Sequence, residues 1–289
     1  MKFGFIATSG NIDQILDMSV AVEEHGWDGF FSWDGIAPGT GEYWDEANAD
    51  ASAMSVFDPW TVLAAAAVKT SRVTLGAMIF PLSRRRPWKV AREAMTVDHL
   101  SNGRLVIPVG LGAIDEGGFA KVHPEVTDRR QRAERLDETL EILDHAWSGK
   151  PFTYEGTHYQ LDNIAFWPPS VQQPRIPIWV VGAWPRPKSM TRAATWDGII
   201  PSMSDDPFRQ PGPDDIRDVV AWMRDHRPDN RPFDLVLEGV SPPDDPAWIE
   251  ANLRPLADAG ATWWIESRWE APNDPATLME RIRKGPPGL

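Results

Sequence analysis

Hydrophobic positions along this chain switch repeatedly between two periods. Short apolar runs bounded by turn residues alternate with longer stretches in which apolar residues recur at helical spacing. Lys2 to Ala7 predicts a strand, and Ile12 to Glu24 a helix with a stripe of Ile12, Ile15, Leu16, Val20 and Val22, stopped by His25-Gly26. Asp28 to Trp33 predicts the next strand, followed by a helix that Asp58-Pro59 opens and that runs to Thr70. Val73 to Phe80 pairs with the helix Pro87 to Leu100, and Arg104 to Val109 with the helix Arg129 to Trp147. Four further strands are predicted at Ile178 to Val181, Asp197 to Ile200, Asp234 to Val240 and Thr262 to Ile265. Helices at Ser189 to Trp196, Asp214 to Arg224, Pro246 to Ala259 and Pro275 to Arg283 follow them in turn.

Strict alternation of strand and helix implies parallel strands joined by right-handed crossovers. Eight such units predict a (β/α)8 TIM barrel occupying residues 1–289 as one domain with loop insertions. A doubly wound open sheet is disfavoured, because the first strand runs into Ala7-Thr8-Ser9-Gly10-Asn11 and not into a glycine-rich dinucleotide fingerprint. The insertions are Gly35 to Phe57, Gly112 to Asp128, Lys150 to Arg175 and Ser202 to Pro213. The third contains the alternating run Phe152 to Tyr159 and predicts a β-hairpin. The other three follow strands, on the face where barrel enzymes build their sites, and Gly35 to Phe57 is long enough to act as a lid.

Composition narrows the partners. A net charge of −13 argues against nucleic acid and against an anionic membrane surface. With no cysteine, a disulfide framework, a thiolate metal site and a cysteine nucleophile are all excluded. The six histidines show no ligand spacing, so no metal site is expected. The start, MKFGFIATSG, reaches polar residues too early for a signal peptide, and the longest apolar run, Val62 to Val68, is far short of a membrane span. A cytoplasmic protein acting on a small molecule is the expectation, with a homodimer left open. Fifteen tryptophans against three tyrosines form the compositional anomaly.

The barrel directs attention to the strand ends. Gly182-Ala183-Trp184-Pro185-Arg186-Pro187-Lys188-Ser189 leads into a helix, whose start carries partial positive charge and free N–H groups. Arg186 and Lys188 at that end either point into solvent or complete an anion site with Ser189. Arg84-Arg85-Arg86 poses the same choice between a charge run paired with acidic neighbours and a second anion site. Gly110-x-Gly112 allows close backbone approach to a ligand, or merely turns a strand end. Asp34 is a loop cap or a proton relay. Glu238 and Glu266 end the last two strands and offer the carboxylate pair of a glycosidase.

A run of motifs in order resembles the bacterial luciferase-like monooxygenase family. It comprises Val73-Thr-Leu-Gly-Ala-Met-Ile-Phe80, Arg86-Pro87, Ala91-Arg92 and Val97-Asp98-His99-Leu100-Ser101-Asn102-Gly103-Arg104. Gly110-Leu111-Gly112, Arg132 with Leu136-Asp137-Glu138, Trp147-Ser148-Gly149, Pro177 to Gly182 and Arg192-Ala193-Ala194 with Asp197-Gly198 continue it. The resemblance implies a TIM barrel using reduced FMN or the deazaflavin F420, with a cis peptide at Met78-Ile79 beneath the ring. It places the phosphate after the fifth strand, at Gly182, Ala183, Arg186, Lys188 and Ser189, and adds Thr8, Gly110 and Gly112 as cofactor contacts. Asp34 and Glu116 are the candidate catalytic acids. F420-dependent sugar-phosphate dehydrogenases of this family carry Asp-His where this chain has Asp34-Gly35, which argues against that activity.

Two rival readings are a glycosidase using Glu238 and Glu266, with tryptophans stacked on sugar, and a flavin-binding protein without turnover. Under the oxidoreductase reading, Trp33, Met78, Ile79, Phe80 and Trp184 line the pocket. Trp44 and Trp269 lie in flanking loops, and Trp60, Trp88, Trp147, Trp196 and Trp222 serve the core.

Overall fold

Eight parallel strands curve into a barrel in the computed structural model, which describes residues 1–36, 56–114, 118–206, 209–270 and 272–288. In chain order the elements are β1 Lys2–Ile6, α1 Ile12–Glu24, β2 Gly29–Ser32, α2 Pro59–Lys69, β3 Thr74–Ala77, α3 Pro87–Ser101, β4 Ile107–Val109 and α4 Arg129–Trp147. They continue with β5 Phe152–Glu155, β6 Gln160–Ile164, β7 Ile178–Trp184, α5 Pro187–Thr195, β8 Gly198–Met203, α6 Pro213–His226, β9 Asp234–Gly239, α7 Pro246–Ala259, β10 Trp263–Glu266 and α8 Pro275–Arg283. The ladder runs β3-β2-β1-β10-β9-β8-β7-β4, and parallel bridges Leu75 to Leu105 and Phe80 to Val109 join its two ends. Strands β5 and β6 form the expected antiparallel hairpin outside the barrel.

The inside of the barrel accounts for part of the tryptophan excess. Phe31, Trp179 and Trp263 meet there, with the two indole rings 5.3 Å apart and Phe31 about 6 Å from each. Such bulk fits because glycine faces it. A Cβ at Gly4 would stand 2.6 Å from the Phe31 ring, and one at Gly198 would stand 2.5 Å from Trp179. Large and small residues thus interdigitate around the axis. The Trp179 indole N–H donates to Asp234 at 3.2 Å. Outside the strands, Trp27 and Trp147 are fully buried, and their N–H groups donate to the carbonyls of Ile282 and Ala91.

Local chemistry sets the element ends. Asn11 and Gln14 make a reciprocal capping box on α1, while Asp58, Asp128, Asp245 and Asp274 cap α2, α4, α7 and α8. Asn102, at φ 55°, ends α3 in the left-handed conformation. Several boundaries differ from the sequence expectation, and those of β3, β7 and α5 shape the barrel mouth. β3 stops at Ala77, before the cis Met78-Ile79 peptide, and not at Phe80. β7 continues past Val181 to Trp184 because its partner β8 extends alongside it, with Trp184 opposite Met203. α5 begins at Pro187, since proline is suited to the first helical turn.

The Leu136-Asp137-Glu138 run in α4 serves packing. Glu138 accepts hydrogen bonds from the N–H groups of Thr157, His158 and Tyr159, fastening the hairpin turn. Asp98, fully buried in α3, does the same for Val171 and Gln172 in the segment leading to β7. No helix among the described residues is long and apolar enough to cross a membrane.

Candidate active site

At the carboxyl ends of β2, β3, β4 and β7 lies a cavity of about 900 Å³. Met78, Ile79, Leu111, Leu136 and Val181 supply apolar lining, and Gly110, Gly112, Ala183 and Ser189 border it. The backbone is tightly fitted here. A Cβ on Gly110 would come within 2.2 Å of Ile79, and one on Gly112, at φ 73°, within 2.7 Å of Pro81.

Cations gather on the α4 and α5 side, where Arg129, Arg132 and Arg192 line the cavity. Arg132 is buried and donates to the carbonyls of Leu111 and Gly112 at 2.8 and 2.9 Å, so it holds the glycine turn. Arg192 is fixed by Asp137. Arg129 is exposed and makes no ion pair among the described residues. These three were missed in the sequence because helix residues are read first as packing or solvent, and only the crossover geometry swings α4 and α5 over the strand ends.

Ser189 meets the cavity but is already engaged, its Oγ accepting from the Ala183 N–H at 2.9 Å. Arg186 is the N-cap of α5 and gives it no side-chain cap, leaving the helix start open. Arg186 and Lys188 are exposed beyond the cavity lining. Gly182 is buried against Ile199, behind the wall. Thr8 is also set apart, its hydroxyl donating to the Arg268 carbonyl at 2.9 Å. Trp33 lines the cavity as expected, while Phe80 is fully buried and stacks on Trp60 at 4.3 Å. Trp184 packs on the main core and is not part of the lining. Glu116, Trp44 and most of the predicted lid, residues 37–55, lie outside the described residues.

Asp34 and the arginine run answer each other. Arg84 reaches the Asp34 carboxylate at 3.1 Å and Arg85 at 2.9 Å, and the Asp34 side chain is 1% exposed. The anion that Arg84 and Arg85 complement is therefore Asp34 itself, which decides for a charge run paired with an acidic neighbour and against a second anion site there. Arg86 lies over the Trp88 ring.

The glycosidase pair is also overturned. Glu238 stands opposite Ile265 in the β9–β10 ladder and Glu266 opposite Gly239, so the two carboxylates emerge on opposite faces. Glu266 is fully buried, accepts from the N–H and hydroxyl of Ser241, and is held by Arg268 and Arg281. It cannot work in concert with Glu238, whose neighbours Val236 and Ile265 belong to the interior.

Parallel strands closed into a barrel, with an apolar, arginine-rimmed cavity at their carboxyl ends, define a (β/α)8-barrel enzyme site. The chain belongs to the luciferase-like monooxygenase family, whose sequence profile matches residues 1–280, and it is thereby an oxidoreductase. An F420-dependent glucose-6-phosphate dehydrogenase of Nakamurella multipartita is 27% identical, over 98% of this chain and 86% of that protein. One from Microbacterium testaceum is 30% identical, over 72% of this chain and 58% of its own length. Among solved structures, an F420-dependent secondary alcohol dehydrogenase in complex with an F420-acetone adduct matches with a TM-score of 0.74 at 16% identity, covering 99% of this chain and 98% of that one. The monooxygenase RslO1 from Streptomyces bottropensis matches with a TM-score of 0.73 at 18% identity, covering 98% of both chains. These structural matches speak for the fold.

Proposed function

We propose that this chain is an F420-dependent oxidoreductase that moves hydride to or from a small organic substrate. The observation that carries the reading is the cavity itself, an apolar floor ended by cations in a protein of net charge −13. A flat ring joined to an anionic phosphate tail needs those two environments side by side. The floor of Met78, Ile79 and Val181 fits the ring, and Arg129 with the open start of α5 fits the tail. Relatives named as F420-dependent enzymes favour F420 over FMN.

When bound, the deazaflavin supplies two-electron hydride chemistry. The chain supplies orientation and exclusion of water. Leu111, Leu136 and Val181 keep the ring environment apolar, and Arg132 fixes the Gly110–Gly112 turn that borders it. Ser189 orders the approach to α5, and Arg186 and Lys188 stand outside for the acidic end of the tail. Asp34 is a positioning residue in this reading, since it acts by holding Arg84 and Arg85 in the wall.

The test is a titration of the purified protein with F420 and, separately, with FMN, followed by ligand absorbance and tryptophan fluorescence. F420 is expected to bind at least about tenfold more tightly, a difference of about 1.4 kcal/mol. Tighter binding of FMN would overturn the cofactor assignment, and binding of neither would overturn the function.

A further inference from the structure

The barrel mouth holds more room than the cofactor cavity. A second space of about 300 Å³ shares Met78, Ile79, Val181 and Ser202 with it. A third, of about 790 Å³, lies between the ends of β9 and β10 and helix α7, and shares Leu237, Glu238 and Trp269 with the second. Trp269 in turn packs edge-on against Trp33 of the first cavity, 5.8 Å between ring centres. The three spaces therefore form one row across the mouth.

The third space is walled by Trp248, Leu253, Leu256 and Trp264. Its charged neighbours are occupied or at the rim. Arg268 lies 3.3 Å from Glu266, and Glu270 is exposed. Arg209, lining the second space, is bound by Asp215 at 2.7 Å and Asp205 at 3.4 Å. Glu238 differs from all of them. It makes no hydrogen bond or ion pair among the described residues, yet it lines both spaces at their junction. Burial alone acts on its carboxyl and pushes its pKa upward, favouring the protonated form.

We propose that the third space seats the body of the substrate, an uncharged aromatic or alicyclic carbonyl compound whose carbonyl reaches into the second space, and that Glu238 donates a proton to the carbonyl oxygen there, beside Met78, Ile79 and Val181 of the cofactor cavity. The proposal rests on the cofactor reading above for its hydride source. An anionic substrate would find no unpaired cation among the described residues of this pocket, and indole and leucine walls favour an apolar body. Burial biases the unpartnered Glu238 carboxyl toward its protonated form, in which it can donate to such a carbonyl. Hydride from the reduced deazaflavin forms the new C–H bond and leaves the cofactor oxidised by two electrons. The carbonyl π pair moves to oxygen, which takes the Glu238 proton, and water then reprotonates the carboxylate.

The test uses the cofactor-free protein and benzylacetone, an aromatic ketone, with tryptophan fluorescence as the readout. Saturable quenching is expected, with affinity falling about tenfold or more as pH rises through the titration of Glu238. In Glu238→Gln the amide still donates, so binding should persist and its pH dependence should vanish. Trp248→Ala, which leaves Glu238 in place, should weaken binding and keep the pH dependence. Absence of saturable quenching, an unchanged pH profile in Glu238→Gln, or displacement by a sugar phosphate would each overturn the proposal. F420 titration of the same protein separates the two readings. Ketone binding without F420 binding sinks the cofactor assignment alone, and F420 binding without ketone binding sinks the pocket alone.

Discussion

Asp34 shows how far a single residue can be read without its neighbours. Asp34 and Arg84 to Arg86 were each legible as unusual in the sequence, but about fifty positions separate them, and only the β2–β3 pairing makes them one cluster. A strand-end aspartate whose side chain is only 1% exposed needs a counter-charge, and the arginine run supplies it. Removing one partner of such a cluster leaves uncompensated charge inside. Asp34→Ala is therefore expected to lose about 3–5 kcal/mol of stability in urea unfolding. A loss under about 1 kcal/mol would mean that solvent already screens the cluster. The same limit applied to Glu238 and Glu266. Both were visible as strand-end acids, but the face each takes depends on strand register, which the chain alone does not reveal.

Elements were the most legible level, because every barrel strand is buried on two faces and every crossover is a helix. Asp-Pro and Asn-Gly punctuation marked their ends, as at Asp58-Pro59 and at Asn102-Gly103. Interactions across elements were hidden. Arg132 and Glu138 both sat inside a recognised motif, but their jobs, holding the Gly110–Gly112 turn and the hairpin turn, appear only in three dimensions. Glu138→Ala would strip the acceptors from Thr157, His158 and Tyr159. Faster hydrogen exchange confined to β5 and β6 is expected, with a global cost on the order of 1–3 kcal/mol. Protection unchanged at those amides would show that water substitutes for the carboxylate. For α5, Ser189→Ala should weaken F420 binding by several-fold and leave benzylacetone binding unchanged, since Ser189 borders only the first of the three spaces.

Across the whole molecule, charge is distributed against its own average. The chain is acidic overall, while Arg129, Arg132 and Arg192 collect at one cavity. Association of an anionic cofactor then depends on a local field within a repelling one. Raising salt to about 0.5 M should screen both and shift F420 affinity, while the apolar pocket should respond little. Equal salt responses of F420 and benzylacetone would show that the cations take no part in binding.

Glu238 also taxes the fold that holds it. Its folded-state pKa lies above the ordinary value of 4.5. The native chain therefore binds more protons than the unfolded one between those two pKa values, and stability falls as pH rises through that window. Glu238→Gln removes the titration, so its melting temperature should exceed that of the wild type at pH above the window and match it at acid pH. Each 1 kcal/mol would appear as roughly 2–4 °C in a chain of this size. An engineer selecting only for heat resistance at neutral pH would discard this glutamate early, and with it the proton the pocket was arranged to deliver.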